Sequence, residues 1–380
     1  MAPSVRCHLC GGPLRPLPSA ALLGQVTSDC RAWPIAPVLM ACQSCGAVQK
    51  AITDDWRNQA EQIYAGYAMY GQAGGAEQLS FDQGAGAGMA RSGRIATWLD
   101  QVGVLPTQGF LLDIGCGNGA FMRAFGARQP GWTMTGCELD DRNQLAVEAI
   151  PGVAKLHVGP LAALSQQFDL VVLVHALEHM VDPVAFLSSI RPVMGPGASL
   201  LIQVPDLIRS PFDLLIADHC THFTSKTLVD VVTRAGFMVE RLADDCVDKE
   251  LTLLCRVPLE STGAGPAPFS ACGPTAAQAH LAWLGDVAQQ AQALSGRIAV
   301  FGSSIAATWL ASLLGDRLEC FVDEDPGRVG RSHLGRPILR PDQMPLSLPV
   351  LVPLRPELAR SVTARLSATG LGFVAPPAVR

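Results

Sequence analysis

Short apolar runs alternate with amphipathic stretches through the middle of the chain. Runs with the length and composition of buried strands lie at residues 110–112, 132–138, 154–158, 168–174 and 199–204, the last after a turn at 195–197. Apolar residues at helical spacing mark helices from residue 91, from residue 120, and at 141–149, 183–191 and 226–235, before a strand at 237–242 and a hairpin-like end at 250–257. This alternation predicts an α/β fold with a doubly wound parallel sheet, whose ligands bind at the carboxyl ends of the strands.

A glycine turn follows the first of these strands. Residues 113–119 read Asp-Ile-Gly-Cys-Gly-Asn-Gly, and glycine there lets a ligand approach the turn backbone. The next strand ends at Glu138, a carboxylate about 20 residues further on that suits ribose hydroxyls. The pattern predicts a nucleotide-binding corner, and the alternative is a turn that only connects two elements.

Two CxxCG motifs lie near the beginning of the chain, at Cys7 and Cys10 and at Cys42 and Cys45. Two such pairs can supply four thiolates to one tetrahedral zinc ion, and four protein ligands leave no open position for catalysis. We therefore predict a structural zinc site. A redox pair is the alternative, and His8 and Cys30 are second choices as ligands.

Residues 53–90 contain all three tyrosines of the protein, Tyr64, Tyr67 and Tyr70. Their three-residue spacing would place them on one side of a helix. They could form a lid over a polar substrate or an ordinary packing stripe, and the sequence leaves both interpretations open. The glycine-rich residues 84–88 would join this segment to the core.

Two clusters of histidines and carboxylates fall just after predicted strands. The first contains His175, Glu178 and His179, and the second contains Asp218, His219 and His222. Because the carboxyl ends of parallel strands meet at one edge of a sheet, the two clusters together favour a functional site. A catalytic metal is a minor alternative, since the spacing is not HExxH.

The last third of the chain begins with a linker rich in Pro, Gly, Ser and Ala at residues 258–275. A helix at 276–294 then leads into a second strand–turn–helix–strand unit at 297–322. Its turn at 302–304 could receive a phosphate at a helix start. A structural or oligomerising domain and a nucleotide-recognition domain are equally compatible with this small Rossmann-like unit. The predicted domains are 1–52, 53–90, 91–257, the linker 258–275, and 276–380.

Composition narrows the range of partners. With 380 residues, 49% of them hydrophobic, the chain is long enough for two or three domains. A formal net charge of −5 argues against a nucleic-acid polymer as partner. The apolar runs are too short to cross a bilayer and the N-terminus has no apolar signal core, so we expect no membrane partner and a cytoplasmic protein. The cysteines outside the two motifs are expected to be buried thiols. We expect a monomer or homodimer.

The order of these motifs resembles the sugar C-methyltransferases of deoxysugar biosynthesis over nearly the full chain. The shared features are the paired CxxC motifs, the tyrosine segment, a glycine turn like motif I of class I S-adenosylmethionine methyltransferases, the two histidine clusters and a C-terminal Rossmann-like domain. The resemblance implies methylation of carbon 3 of a nucleotide-linked 4-keto sugar. It also implies a small-molecule substrate, S-adenosylmethionine as cofactor and Zn²⁺ as a structural ion.

The resemblance implies roles for individual residues. His219 would be the base, oriented by Asp218, where the family usually has Glu-His followed by Tyr; here Phe223 stands at the Tyr position, with His222 beside it. His179, Glu178, His222 and a tyrosine, for which we select Tyr70, would position the sugar and its oxyanion. The residues assigned to the cofactor are Asp113, Gly115, Cys116, Gly117, Asn118, Gly119, Glu138 and His175. At Gly159 and Pro160 an acidic residue that often faces adenine is missing, so adenine would rest on backbone and apolar contacts.

Two other functions remain compatible with the sequence. An O- or N-methyltransferase acting on a saccharide or secondary metabolite would share the cofactor site but needs no carbon deprotonation. A non-catalytic, zinc-stabilised scaffold with a vestigial cofactor fold would not need to bind the cofactor at all.

Overall fold

A seven-stranded mixed sheet forms the centre of the computed structural model, which describes residues 6–18, 23–68, 73–75, 77, 79–80, 89–258 and 272–379. The helices and strands of the first part of the chain are β1 (Leu14–Pro16), β2 (Gln25–Val26), β3 (Ala32–Trp33), β4 (Leu39–Cys42), β5 (Val48–Lys50), α1 (Asp54–Ala65), β6 (Leu79–Ser80) and β7 (Met89–Ala90). Those of the central part are α2 (Arg91–Val102), β8 (Gly109–Ile114), α3 (Ala120–Arg128), β9 (Trp132–Glu138), α4 (Gln144–Glu148), β10 (Val153–Val158), β11 (Phe168–Val174), α5 (Pro183–Ile190), β12 (Met194–Pro205), β13 (Thr221–His222), α6 (Ser225–Arg234), β14 (Met238–Ala243) and β15 (Glu250–Arg256).

The central sheet has the order β10-β9-β8-β11-β12-β15-β14. Strands β8 to β12 are parallel, and β15 and β14 complete one edge in antiparallel orientation. The predicted parallel, doubly wound core is therefore confirmed, with the hairpin-like end added as an antiparallel pair.

Strand β11 is buried on both faces of the sheet. Its residues 170–173 are fully buried, as expected for a parallel strand with helices on either side. Val171 and Leu173 pack in the same cluster as residues of α5 and α6, whereas Leu170 and Val172 pack with residues of α2 and α3. Alternating side chains of one strand thus belong to two separate cores.

Two predicted boundaries within this domain are wrong. The turn predicted at 195–197 is part of β12, which begins at Met194 and reaches its regular register with β11 only at Ser199. The intervening residues form an irregularity in the pairing, so glycine and proline there mark a bulge instead of a chain reversal. The helix predicted at 141–149 is shorter and spans Gln144–Glu148.

The N-terminal module contributes a second sheet, with the order β1-β4-β5-β13. Its fourth strand, Thr221–His222, belongs to the connection after β12 and pairs antiparallel with β5. A parallel bridge between Val26 and Ile216 adds a second backbone link to the same connection. The module is therefore hydrogen-bonded to the segment that carries the second histidine cluster.

Side-chain packing also fixes the module in place. Cys7, Leu9 and Cys42 belong to the core cluster that contains Leu173 and Phe223 of the central domain. Other apolar residues of the module pack with helices of the C-terminal part. The module therefore shares buried surface with both of its neighbours.

The tyrosine segment differs from its prediction. Helix α1 ends at Ala65, so Tyr64 lies in its last turn and Tyr67 lies beyond it. The two rings still contact each other, with centroids 6.1 Å apart. Tyr70 and residues 84–88 lie outside the described residues. The proposed single helical face of tyrosines is wrong, because Gly66 caps the helix first.

The C-terminal part forms a six-stranded sheet with the order β18-β19-β17-β16-β20-β21. Its elements are α7 (Cys272–Ala293), β16 (Ile298–Phe301), α8 (Ile305–Leu314), β17 (Leu318–Val322), β18 (Ser332–His333), β19 (Arg336–Leu339), β20 (Val350–Leu351), α9 (Pro356–Leu366) and β21 (Phe373–Val374). All of its strand pairs are parallel except β18 with β19. The predicted Rossmann-like unit is present. Helix α7 begins inside the range predicted as linker, and the division into domains stays a prediction.

Among the helices of the described residues, none combines the length and apolar character needed to cross a membrane.

Truncating one side chain of the central core tests this packing. Leu201 of β12 is fully buried, so Leu201→Ala should lower the free energy of unfolding by about 2–5 kcal/mol through lost burial and a residual cavity. Leu145 of α4 is 89% exposed, and Leu145→Ala should change it by less than about 0.5 kcal/mol. Denaturant unfolding measures both, and equal losses would contradict the assigned core.

Candidate functional site

The glycine turn lies between β8 and α3, at the carboxyl edge of the central sheet. Gly115, Gly117 and Gly119 have φ values of 74°, 56° and 78°, which a residue with a Cβ rarely adopts. A Cβ on Gly119 would also collide with Ile150. The turn therefore presents bare backbone, as predicted for a corner that receives a nucleotide or nucleoside.

Two carboxylates, those of Asp113 and Glu138, lie next to this turn. Asp113 is 2% exposed, and its Oδ2 has no hydrogen-bond partner among the described residues. Burial, followed by the charge of Glu138, raises the pKa of Asp113 to about 8. Glu138 accepts a hydrogen bond from the amide of Gly117 at 2.5 Å, and burial raises its pKa as well. An unsatisfied buried acceptor at this place fits the amine and hydroxyl groups of S-adenosylmethionine.

The other residues assigned to the cofactor occupy different positions. Asn118 donates a hydrogen bond from Nδ2 to the carbonyl of Gly75 at 2.6 Å, so the tyrosine-bearing segment contacts the glycine turn. Cys116 is buried and packs in the core beside the turn. His175 lies at the end of β11 with a φ of 52°, a strained conformation for a histidine.

His175 is held between two carboxylates. Its Nδ1 lies 2.9 Å from Oε1 of Glu178, and its Nε2 lies 3.1 Å from Oε1 of Glu250. Arg91 pairs with Glu250 at 2.9 Å. Burial and Arg91 lower the pKa of His175, but Glu250 and Glu178 outweigh them and raise it to about 9. His175 is therefore cationic at neutral pH. Sequence reasoning missed Glu250 and Arg91, because both lie far from His175 along the chain.

The two histidine clusters meet, as the sequence predicted. The short helix Leu177–His179 follows β11 and brings His179 against the connection after β12. The rings of His179 and His219 contact edge to face, with centroids 4.7 Å apart. One oxygen of Glu178 and one ring nitrogen each of His179 and His219 lie within 4.8 Å of one another. These three residues could also hold a metal ion, so the catalytic-metal alternative stays open.

Asp218 does not orient His219, which corrects the pairing predicted from the sequence. Nδ1 of His219 lies 2.7 Å from Oδ1 of Asp213, and Nδ1 of His222 lies 2.6 Å from Oδ2 of the same carboxylate. Asp213 belongs to the short helix Pro211–Leu215 and is 3% exposed. The adjacent position in sequence suggested Asp218, but the helical turn before the histidines brings Asp213 to them instead.

The carboxylate of Asp218 points towards the N-terminal module. It accepts hydrogen bonds from the amide of Ser28 at 2.9 Å and from the hydroxyl of Ser28 at 2.5 Å. Its Oδ2 also lies 3.5 Å from Nδ1 of His179. Asp218 thus links the module to the first histidine cluster.

Lys50 of β5 brings a buried cation to the same region. It is 1% exposed, and its Nζ donates a hydrogen bond to Oε1 of Gln25 at 2.8 Å. Burial lowers the pKa of Lys50 to about 8, although Asp213 and Asp218 act in the opposite direction. No motif in the sequence marks Lys50. Its position follows from the pairing of β5 with residues 221–222 and from the hydrogen bond of its amide to the carbonyl of Cys220.

Tyr64 is the tyrosine that the structure places at this site. Its hydroxyl lies 3.0 Å from Nδ1 of His179. The same nitrogen lies 3.0 Å from the carbonyl oxygen of Asp218, which can only accept, so Nδ1 carries the proton. The hydroxyl of Tyr64 cannot donate to a protonated nitrogen, so it shares the Nδ1 proton of His179 with the carbonyl of Asp218 and keeps its own proton for another acceptor. Burial raises the pKa of Tyr64, which keeps it protonated.

The four cysteines of the CxxCG motifs come together as predicted. Sγ atoms of Cys7 and Cys45 are 3.7 Å apart, and those of Cys10 and Cys42 are 3.5 Å apart. Tetrahedral zinc with Zn–S bonds of about 2.3 Å requires S–S distances of about 3.8 Å. Amides of Gly12 and Ser44 donate to the sulfurs of Cys10 and Cys42. The residues therefore fit a structural zinc ion. His8 bonds Thr221 at 2.6 Å instead of joining this group.

The turn at 302–304 has internal partners. Ser303 donates from its hydroxyl to Asp323 at 2.8 Å and accepts from the buried Arg328 at 3.0 Å. A carboxylate in this position opposes a phosphate at the turn.

Comparison with known proteins identifies the central domain. Residues 89–242 match a family described as a methyltransferase domain. A ubiquinone biosynthesis O-methyltransferase of Cereibacter sphaeroides is 32% identical over 163 residues, covering 35% of this chain and 62% of that protein. A protein of the same name from a Caulobacter species is 28% identical over 112 residues, covering 27% of this chain and 44% of that protein. The chain thus spans less than two thirds of these relatives.

A solved structure of an S-adenosylmethionine-dependent methyltransferase from Mesorhizobium loti aligns with a TM-score of 0.35 and 19% identity, over 42% of this chain and 97% of that one. The family match shows a methyltransferase domain at residues 89–242, and the glycine turn and sheet order of this region agree with the class I fold.

The His175 network predicts how stability depends on pH. A group whose pKa is about 9 when folded and about 6.5 when unfolded stabilises the native state fully below pH 6.5 and loses that contribution as the pH rises through 9. Denaturant unfolding between pH 6 and 10 should therefore show a fall in unfolding free energy that His175→Gln reduces. His157→Gln is the matched control outside the network, and an unchanged slope in His175→Gln would contradict the assignment.

Metal analysis tests the cysteine site. Purified protein should contain one zinc ion per chain, and Cys42→Ser should lose it because three thiolates no longer complete the tetrahedron. Cys320→Ser replaces a buried cysteine of the C-terminal domain and should retain the metal. Mass spectrometry of bound metal measures all three proteins, and zinc retained at full occupancy in Cys42→Ser would exclude this set of ligands.

Proposed function

We propose that this chain, whose residues 89–242 are a class I methyltransferase domain, transfers the methyl group of S-adenosylmethionine to a small polar acceptor, and that the acceptor is a carbon of a nucleotide-linked keto sugar. The observation that carries the proposal is a buried imidazole, His219, fixed by a carboxylate and adjoining a second histidine and a tyrosine. A methyl acceptor of low nucleophilicity needs a base of this kind.

The residues of the glycine turn supply cofactor binding. Backbone at 115–119 would approach the ligand closely, Glu138 would accept from ribose hydroxyls, and the free oxygen of Asp113 would accept from a further donor. When bound, S-adenosylmethionine supplies an electrophilic methyl group that needs no activation beyond in-line placement. The contribution of the protein is therefore proximity and orientation.

His219 is the proposed base. Its Nδ1 proton is committed to the carboxylate of Asp213, which leaves the lone pair of Nε2 to accept a proton from the acceptor. Burial lowers the pKa of His219, but Asp213, Glu178 and Asp218 outweigh burial and raise the pKa above its ordinary value. The cationic product of proton transfer is therefore stabilised. Deprotonation beside a ketone produces an enolate with its negative charge on oxygen.

Tyr64 is the proposed donor to that oxygen, in a role that sequence reasoning gave to Tyr70. Its hydroxyl accepts from His179 and retains a proton that an enolate oxygen could receive. His179 and Glu178 would hold the tyrosine and the sugar in position. Tyr70 lies outside the described residues, and its assignment stays a prediction.

O-methylation is the second candidate. The relatives that match the central domain are named O-methyltransferases, and a histidine base can also deprotonate a hydroxyl. The non-catalytic scaffold is less compatible with an unsatisfied Asp113 oxygen beside an intact glycine turn. The two catalytic candidates differ in whether a carbon-bound proton is removed.

Two measurements separate these functions. Mass spectrometry of products from a panel of nucleotide-linked 4-keto sugars with labelled S-adenosylmethionine identifies the acceptor. Incubating the same sugars with enzyme in heavy water, without methyl donor, should exchange the proton next to the ketone only if carbon is the acceptor. Methylated product without such exchange would favour oxygen or nitrogen.

Replacement of the base gives the sharpest kinetic prediction. His219→Ala should bind S-adenosylmethionine with nearly wild-type affinity but lose about 10²–10⁴-fold in turnover, because the acceptor keeps its proton. Calorimetry and product formation measure the two quantities on the same preparation. A variant with the wild-type rate would show that His219 is not the base.

A further inference from the structure

The carboxylate of Asp213 is shared by two imidazoles. One oxygen faces Nδ1 of His219 and the other faces Nδ1 of His222, at 2.7 and 2.6 Å. All three side chains are at most 3% exposed, so water does not compete for these hydrogen bonds. Burial disfavours the charge of Asp213, but His222 and His219 outweigh it and hold the pKa of Asp213 far below its usual range. The carboxylate is therefore ionised at any working pH.

An ionised carboxylate only accepts hydrogen bonds. Both imidazoles must then carry a proton on Nδ1, which fixes the same tautomer in each neutral ring. The second nitrogen, Nε2, is left with its lone pair. For His222 this atom is buried without a partner in the described part of the chain, so His222 has a fixed orientation but no route to the solvent.

The geometry points to Asp213 as the positioning residue of the acceptor site: it locks His219 in the tautomer whose Nε2 can take a proton, and His222 holds the carboxylate from its other side. This inference rests on the proposed role of His219 as base. It assigns to Asp213 a function that the sequence pattern gave to Asp218, and it makes His222 a support for Asp213 instead of a second catalytic group.

The surroundings make the two histidines unequal. Titratable groups surround His219 and the carboxylate of Asp213 from several elements. They include Asp218, Cys220 and His222 on the same connection, Glu178 and His179 after β11, Lys50 on β5, Tyr64 on α1 and His280 on α7. Burial lowers the pKa of His222, and the charges of Lys50 and His219 lower it further. Together they outweigh Asp213, which acts to raise it. The pKa of His219 is raised instead, with Glu178 and Asp218 adding to Asp213. Since Nε2 of His222 is also buried without a partner among the described residues, we assign a proton taken up at this site to His219.

Asp213→Asn tests the tautomer directly. An amide has one accepting oxygen and one donating nitrogen, so it cannot accept Nδ1 protons from both rings, and one imidazole must change tautomer or lose its partner. Nitrogen-15 NMR of histidine side chains, on zinc-replete protein with bound S-adenosylhomocysteine, should show both His219 and His222 protonated on Nδ1 in wild type and at most one of these two rings so protonated in the variant. Asp206→Asn, at a buried aspartate earlier on the same connection, is the matched control and should leave both rings unchanged.

Kinetics on the keto sugar that wild type methylates provide the second readout. Asp213→Asn should lower kcat by about 10²–10⁴-fold, as a wrong tautomer does in other histidine-base enzymes, with KM changed by less than about threefold. Because the variant removes a buried negative charge, the acid limb of the kcat/KM profile should move to lower pH in its residual activity. Asp213→Glu, which restores the carboxylate, should recover part of the rate.

The outcomes separate the two claims. Unchanged tautomers in Asp213→Asn overturn the positioning role whatever the activity. A changed tautomer with wild-type kcat, while His219→Ala is inactive, also overturns it. If both His219→Ala and Asp213→Asn keep the wild-type rate, the proposed base is wrong. Thermal unfolding recognises a fold defect common to the variants. In that case the tautomers of His219 and His222 are determined from the NMR spectrum of Asp213→Glu.

Discussion

The antiparallel pairing between β5 and β13 is the interaction on which the acceptor side of the site depends. It joins the cysteine module to Thr221–His222, in the connection that also carries Asp213, Asp218 and His219. Ser28, from the same module, adds two hydrogen bonds to Asp218, and His8 adds one to Thr221. The module thus supplies the framework that holds these side chains in fixed positions.

Burial of charge is the constraint that follows. Glu178, Asp213 and Asp218 are at most 3% exposed, and each would be costly to bury without partners. Their partners are His175, the pair His219 and His222, and Ser28. Each pairing fixes the orientation of the side chains that take part in it. The hydrogen bonds that offset the cost of burying these carboxylates also fix the positions of histidines and a tyrosine that can take part in acid–base chemistry.

The sequence predicted the parts of this structure that local pattern controls. Apolar runs identified strands such as β11, the glycine turn identified the cofactor corner, and CxxCG spacing identified the four cysteines. The pattern failed where partners are distant along the chain. Asp213 rather than Asp218 contacts His219. Lys50 reaches the site because its strand, β5, pairs with β13. Glu250 reaches His175 from β15, which follows it by 75 residues along the chain. No spacing rule predicts such contacts, because they depend on how separate elements pack.

Direct measurement of cofactor binding tests the central claim. The account predicts that isothermal titration of the zinc-replete protein with S-adenosylhomocysteine gives one site per chain with a Kd in the micromolar range, about −8 kcal/mol of binding free energy. Glu138→Ala should weaken that binding, because the proposed acceptor for the ribose hydroxyls is lost. No measurable binding to the folded, metal-bound wild-type protein would contradict a methyl-transfer site in this chain.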